Sequence, residues 1–210
     1  MSWLAPLDDE QMSADQTKAF TRAKKKLGFD AEDAVVPEWV RVLANSPALL
    51  KDTYMNLDRN ILRDGPLTQK TRLIIATAVA SHAGNAAISE YFAARAIQEG
   101  ATDEELVEAA GIAATSTSFN YYYKFRSMVE SDAFEGFNAG LRASLFVSPS
   151  QGKAMAELIN IVISAINGCK SCVNGHIQDA ANAGVTRDQI DDAVRIGGIV
   201  TSICTFTKNV

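Results

Sequence analysis

The sequence is poor in cysteine and proline, has no excess of positive charge, and contains no long hydrophobic run. Three cysteines in 210 residues are too few, and odd in number, for a disulfide framework. Five prolines (Pro6, Pro37, Pro47, Pro66 and Pro149) leave most of the chain free to run as helix. The 20 Lys and Arg against 25 Asp and Glu give a net charge of −5 and a pI near 5.1. That balance excludes nucleic acid as the main partner, because phosphate binding needs a basic face. No segment reaches the ~20 apolar residues of a membrane span. The start, Met1 to Glu10, has neither the basic nor the apolar region of a signal peptide, so the expected location is the cytoplasm, away from membrane. No apolar–polar alternation is sustained between turn signals, which argues against β-structure.

What is present points to helices. Alanine occurs 32 times, a strong bias toward helix. Ser46-Pro47 reads as a cap followed by proline at the first helical position. Thr102-Asp103-Glu104-Glu105 and Thr186-Arg187-Asp188-Gln189 read as capping boxes, each just after a glycine (Gly100, Gly184) suited to ending the preceding helix. The fold class is all-α. With 47% hydrophobic and 21% charged residues, the chain is an ordinary globular protein, long enough to bury a core.

A shift of 84 residues exposes a repeat. Ile75, Gly84, Ala96, Gly100, Thr102, Ala109, Ile112, Thr117 and Ser118 fall on Ile159, Gly168, Ala180, Gly184, Thr186, Ala193, Ile196, Thr201 and Ser202, so nine of the 47 positions from 72 to 118 are identical without a gap. The coincidence of helix-stop glycines and capping threonines is more telling than the count. It suggests two three-helix units, about 66–118 and 150–204, joined by a helical linker around 119–148. The corresponding division is an N-terminal helical extension (1–65) packed on the first repeat, a degenerate repeat with its linker helix (66–149), and an active repeat (150–210).

Only the second copy carries reactive side chains. Glu157, Cys169, Cys172 and His176 align with Leu73, Asn85, Ile88 and Phe92. Cys169 and Cys172 form a Cys-x-x-Cys, which in a reducing compartment stands for redox chemistry or for metal. Cys172 and His176 are four apart and share a helical face, close to a helix start after Asn167-Gly168 that favours thiolate. His176 can take the thiol proton if something orients its ring. Glu157 is the candidate, yet on one continuous helix it lies ~28 Å from His176. A hairpin closing at Asn167-Gly168, midway between the two, brings them face to face.

The stretch from Glu157 to His176 resembles the Glu-x11-Cys-x2-Cys-x3-His signature of AhpD-like alkylhydroperoxidases, in the carboxymuconolactone decarboxylase superfamily. The similarity extends through Gly184-Val185-Thr186 to Cys204, and backward through Gly140-Leu141-Arg142 and Ser148-Pro149. Residues 66–118 resemble the degenerate first copy of two-copy members. The resemblance implies an AhpD-like helical fold and a thiol-dependent peroxidase-type oxidoreductase acting in antioxidant defence, with organic hydroperoxide or H2O2 as substrate and no cofactor or metal. It implies that Cys172 attacks peroxide, that Cys169 supplies a proton and then closes the Cys169–Cys172 disulfide, and that His176 and Glu157 relay the proton. It further implies re-reduction by the lipoyl group of a dihydrolipoamide acyltransferase, electron delivery to the peroxiredoxin AhpC, and assembly into homo-oligomers, trimers or hexamers. One position departs from the pattern: Ser171 stands where such proteins often carry histidine.

Two other readings fit some of the residues. A carboxylactone decarboxylase, as in the superfamily's name, does not require the cysteine pair. A zinc-stabilised helical module takes Cys169, Cys172, His176 and Glu157 as ligands, although structural zinc favours a fourth Cys or His over a distant carboxylate. Elsewhere, His82 reads as structural, Cys204 as a buried small hydrophobe, Lys24-Lys25-Lys26 as a solvated helix face, and Asn120 to Phe125 as linker packing in preference to the lining of a pocket.

Overall fold

The structure, a computed structural model, describes residues 4–208, so Met1–Trp3 of the start region read above lie outside it. Among the described residues there is no β-strand, and there are ten α-helices: α1 Ala14–Leu27, α2 Glu38–Leu43, α3 Pro47–Asn60, α4 Gln69–His82, α5 Ala86–Gln98, α6 Asp103–Met128, α7 Ser144–Val147, α8 Lys153–Ile166, α9 Lys170–Asn182 and α10 Arg187–Phe206. The all-α expectation holds. Helix starts fall where the capping residues put them. Ser46 accepts from the Leu49 amide with Pro47 inside the first turn, and Thr102 and Thr186 close capping boxes with Glu105 and Gln189.

The 84-residue register survives without a slip. α4 maps onto α8 and α5 onto α9 from first residue to last, and α6 begins at the position equivalent to the start of α10. Gly84, Gly100, Gly168 and Gly184, which follow α4, α5, α8 and α9, all have φ between 68° and 83°. Only glycine adopts that left-handed conformation cheaply, so these residues fix where each helix stops.

α4 and α8 form the centre. Arg72–Ala80 and Ala156–Ser164 are buried without interruption, and helices buried all round need neighbours on every side. The neighbours come from both repeats, because the third helix of each crosses to the other: α6 packs on α8, and α10 on α4. The two crossings are tied alike. Asp192 of α10 accepts the Leu67 amide (3.3 Å) ahead of α4 and holds Arg72 through two bonds of 2.8 and 2.9 Å. Glu108 of α6, its counterpart, accepts the Ser150 and Gln151 amides (2.6 and 3.0 Å) ahead of α8. Burial pushes the Glu108 carboxyl up, but those amide bonds outweigh it and hold it below the usual carboxylate range. The repeats share one core.

The N-terminal helices lie on this pair. Phe29 and Trp39 meet Tyr91 of α5, with ring centroids 5.8 and 5.2 Å apart, and Arg95 of α5 bonds the Leu27 carbonyl at the end of α1. α3 also packs on α10, so the extension touches both repeats. The stretch expected as a helical linker is helical only in part: α6 runs to Met128, 129–143 forms turns, and α7 is one turn. Local bonds compete with helix there. Gly136 and Gly140 have φ of 77° and 65°, Asn138 accepts from the Gly140 amide, and Arg126 donates to the Phe137 carbonyl.

Candidate active site

α8 ends at Ile166, the chain turns through Asn167-Gly168, and Cys169 occupies the cap position of α9. The two antiparallel helices bring together what the sequence separates by 19 residues: Glu157 Oε2 lies 2.7 Å from His176 Nδ1. Glu157 is 4% exposed, so its carboxylate sits where charge is costly unless partnered. The partners are the imidazole and the side-chain amide of Asn160, 3.5 Å away. Cys169 is buried and Cys172 half-buried, and the two are joined in a disulfide with Cα atoms 5.3 Å apart. Both belong to the first turn of α9, where unpaired amides give a positive potential.

Cys172 and His176 open on one cavity of about 390 Å³, lined also by Ser171, Gly175, Asp179, Phe119, Tyr123 and Phe146. The wall opposite the hairpin is aromatic. Tyr123 stacks on Phe119 (6.4 Å), Phe119 tilts against Phe146 (5.6 Å), and Phe146 meets the His176 ring edge-on (6.1 Å, 83°). Phe119 and Tyr123 come from α6 and Phe146 from α7. Linker packing for 120–125 is therefore corrected at Tyr123, which faces the cavity because α6 continues as helix past the first repeat. A larger groove of about 560 Å³, lined by Leu4, Leu49 and small residues of α10, holds no titratable side chain.

Behind the site, α6 and α8 are joined by a seam of polar pairs the sequence reading missed. Ser116 donates to Asn160 (2.5 Å), Asn120 donates to Ser164 (2.9 Å), and Lys124 donates to the Asn167 carbonyl (2.9 Å). Four-residue spacing on both helices keeps the pairs on one line. The signal was present as Ser116, Asn120 and Lys124 on one helix and Asn160 and Ser164 on the other. The seam runs from Glu157 to the turn that presents Cys169. Asp179 was also missed: it is exposed and lines both the aromatic cavity and a cleft next to Glu157.

The remaining candidates are occupied elsewhere. His82 shares a 3.0 Å hydrogen bond with Thr117, and burial lowers its pKa. Cys204 is free and buried, and burial pushes its thiol up to about 11. Lys26 pairs with Asp58 at the surface. In the first repeat, Leu73, Ile88 and Phe92 are core residues, and Asn85 caps α5 and bonds Thr207. The zinc set of the sequence reading is not assembled: the cysteines are bonded to each other, and the ligand-type groups that converge are Glu157, His176 and Asp179.

The profile of the carboxymuconolactone decarboxylase family matches residues 48–119 and 131–207. A protein of Anaeromyxobacter dehalogenans (strain 2CP-C) named alkyl hydroperoxide reductase AhpD is 37% identical over 156 residues, 73% of this chain and 82% of that relative. A protein of that name from Methylocella silvestris is 35% identical over 159 residues, 74% of this chain and 86% of the relative. Another, from Corynebacterium aurimucosum, is 30% identical over 165 residues, 75% of this chain and 87% of the relative.

Proposed function

The chain belongs to the carboxymuconolactone decarboxylase family, and on that footing we propose that it is a thiol-dependent alkyl hydroperoxide reductase working through Cys169 and Cys172. The observation that carries the reading is the disulfide at the head of α9, in one cavity with a histidine bonded to a buried carboxylate. In the reduced protein, His176 takes the proton of Cys172, and Glu157 holds the ring and stabilises its charge. The Cys172 thiolate attacks the outer oxygen of a hydroperoxide. The O–O bond breaks, Cys172 becomes a sulfenic acid, and the leaving alkoxide takes the proton of Cys169 to depart as alcohol. The Cys169 thiolate then attacks the Cys172 sulfur, forming the disulfide and releasing hydroxide, which takes the proton held by His176 and leaves as water.

A dithiol returns the protein to its reduced form by exchange through a mixed disulfide. The sequence resemblance supports a lipoyl group of an acyltransferase as that dithiol and AhpC as an electron acceptor. It also supports a homo-oligomer, a trimer or hexamer. The aromatic wall suits a substrate with an apolar tail, since burying apolar area yields ~25 cal/mol per Å².

The test is turnover of an organic hydroperoxide and of H2O2, each with dihydrolipoamide, thioredoxin or glutathione as reductant. The expected result is peroxide loss with dihydrolipoamide that vanishes in Cys172→Ser and in Cys169→Ser. Undiminished turnover in Cys172→Ser overturns the proposal.

A further inference from the structure

We infer that Glu157, His176 and Asp179 form a binding site for a zinc-class divalent cation, distinct from the cysteine pair and available while the disulfide is closed. One carboxylate oxygen from each acid and one ring nitrogen of His176 all lie within 4.8 Å of one another. Imidazole with two carboxylates is an N/O donor set suited to zinc, and three protein ligands leave the fourth tetrahedral position open.

The three groups differ in how ready they are. Glu157 is buried and held by Asn160 and His176, so its carboxylate is already positioned. His176 lies one turn before Asp179 on α9 and is anchored by Glu157 and the Phe146 ring. Asp179 is exposed, and among the described residues its carboxylate has no hydrogen-bond or ion-pair partner. It therefore swings inward without giving up another contact. Zinc bonds of about 2.0–2.2 Å place ligands ~3 Å or more apart, so the 2.7 Å Glu157–His176 pair opens by a few tenths of an ångström while Asp179 closes in.

The way in is a cleft of about 310 Å³ lined by Lys153, Glu157, Asp179, Asn182 and Ala183. It gives the buried carboxylate an opening other than the aromatic cavity. Lys153 is the one basic side chain lining the cleft. Its ammonium bonds the Phe146 carbonyl, and its charge opposes a cation.

Bound zinc takes Glu157 and His176 out of use. On the reading proposed above, zinc then slows Cys172 in the reduced protein, but binding to the oxidised protein does not depend on that reading.

The experiment uses the full chain with its disulfide closed, titrated with zinc sulfate against a chromophoric chelator, with magnesium as the hard-cation control. The expected result is one zinc per chain at micromolar affinity. Asp179→Asn, at an exposed position, weakens binding at least about tenfold. Lys153→Met tightens it a few-fold by removing the opposing charge. A Cys169→Ser/Cys172→Ser double variant binds as the oxidised wild type does. No zinc on the oxidised chain, or Asp179→Asn binding equally well, overturns the site. Loss of binding in the double cysteine variant also overturns it.

Discussion

Glu157 and Cys204 are both buried, and they meet burial in different ways. The carboxylate has an imidazole to face, so on the proposed mechanism it works by stabilising positive charge on His176. Glu157→Gln keeps the shape and deletes that charge. Iodoacetamide alkylation of Cys172 in the reduced protein at pH 7 is expected to fall by about an order of magnitude, less than the ~10²–10⁴ that a positioned base supplies in full, because His176 itself is still present. His176→Phe does at least as much, and the double variant is little worse than the worse single one, since the members act as one device. An unchanged rate in Glu157→Gln removes the carboxylate from the site. Burial of Cys204 outweighs its backbone hydrogen bond and pushes its thiol up to about 11 against an ordinary 9.0. The folded state thus favours the protonated thiol. The stability this contributes is complete below pH 9 and drains away as pH rises from about 9 to about 11. Tyr91, pushed up to about 12 by burial, adds the same sign of loss at higher pH. Melting temperatures from pH 7 to 11 should decline in the wild type and decline less steeply across pH 9–11 in Cys204→Ala. That variant's plateau should be lower because of the cavity.

At the scale of helices, α10 offers adjacent glycines with opposite expectations. A Cβ on Gly197 would lie 2.5 Å from Val162 Cγ1 of α8, whereas one on Gly198 meets nothing within 4 Å. Gly197→Ala forces α8 and α10 apart and should cost about 1–3 kcal/mol. Gly198→Ala keeps the packing, gains up to about 1 kcal/mol of helix propensity, and raises Tm by a few degrees. Thermal denaturation of the two variants side by side checks the sign. The Arg72–Asp192 pair joins α4 to α10 with both side chains almost fully buried. Arg72→Met leaves a buried carboxylate uncompensated and should destabilise by about 3–5 kcal/mol, with Arg72→Met/Asp192→Leu recovering part of the loss. Urea titration measures both.

Helix ends were legible because caps and turn glycines act locally: Thr102, Thr186, Gly84 and Gly168 do the same work in any tertiary setting. The Glu157–His176 approach was legible because a hairpin needs only a turn at its midpoint. Phe119, Tyr123 and Phe146 were not, because nothing local distinguishes an aromatic that packs from one that lines a cavity. That depends on α6 lying across α8, a contact between residues more than 40 positions apart. Asp179 escaped for a similar reason, since its meaning comes from Glu157 on another helix. The turns at 129–143 had visible markers in Gly136 and Gly140, outweighed in the reading by the helical character of their surroundings.

In the whole molecule, the two repeats share one core, because α6 packs on α8 as well as on α4, and α10 on α4 as well as on α8. The turns at 129–143, by contrast, are mostly exposed, with Phe134 and Phe137 38% and 65% accessible. Limited chymotrypsin digestion is expected to cut there first. The two fragments should elute together from gel filtration and separate only in denaturant, and fragments that separate without denaturant contradict the shared core.

One inequality between the halves has a consequence of its own. Phe206, the last residue of α10, is equivalent to Tyr122, and α6 continues to Met128. The surplus begins with Tyr123, which walls the cavity, and Lys124, which clasps the Asn167 carbonyl. The chemically silent half is thus the socket into which the reactive half is set. Six residues of overhang give a near-symmetric pair an aromatic wall on one side only. Retuning what enters the aromatic cavity is a matter of editing residues of the first half, leaving Cys169, Cys172, His176 and Glu157 untouched.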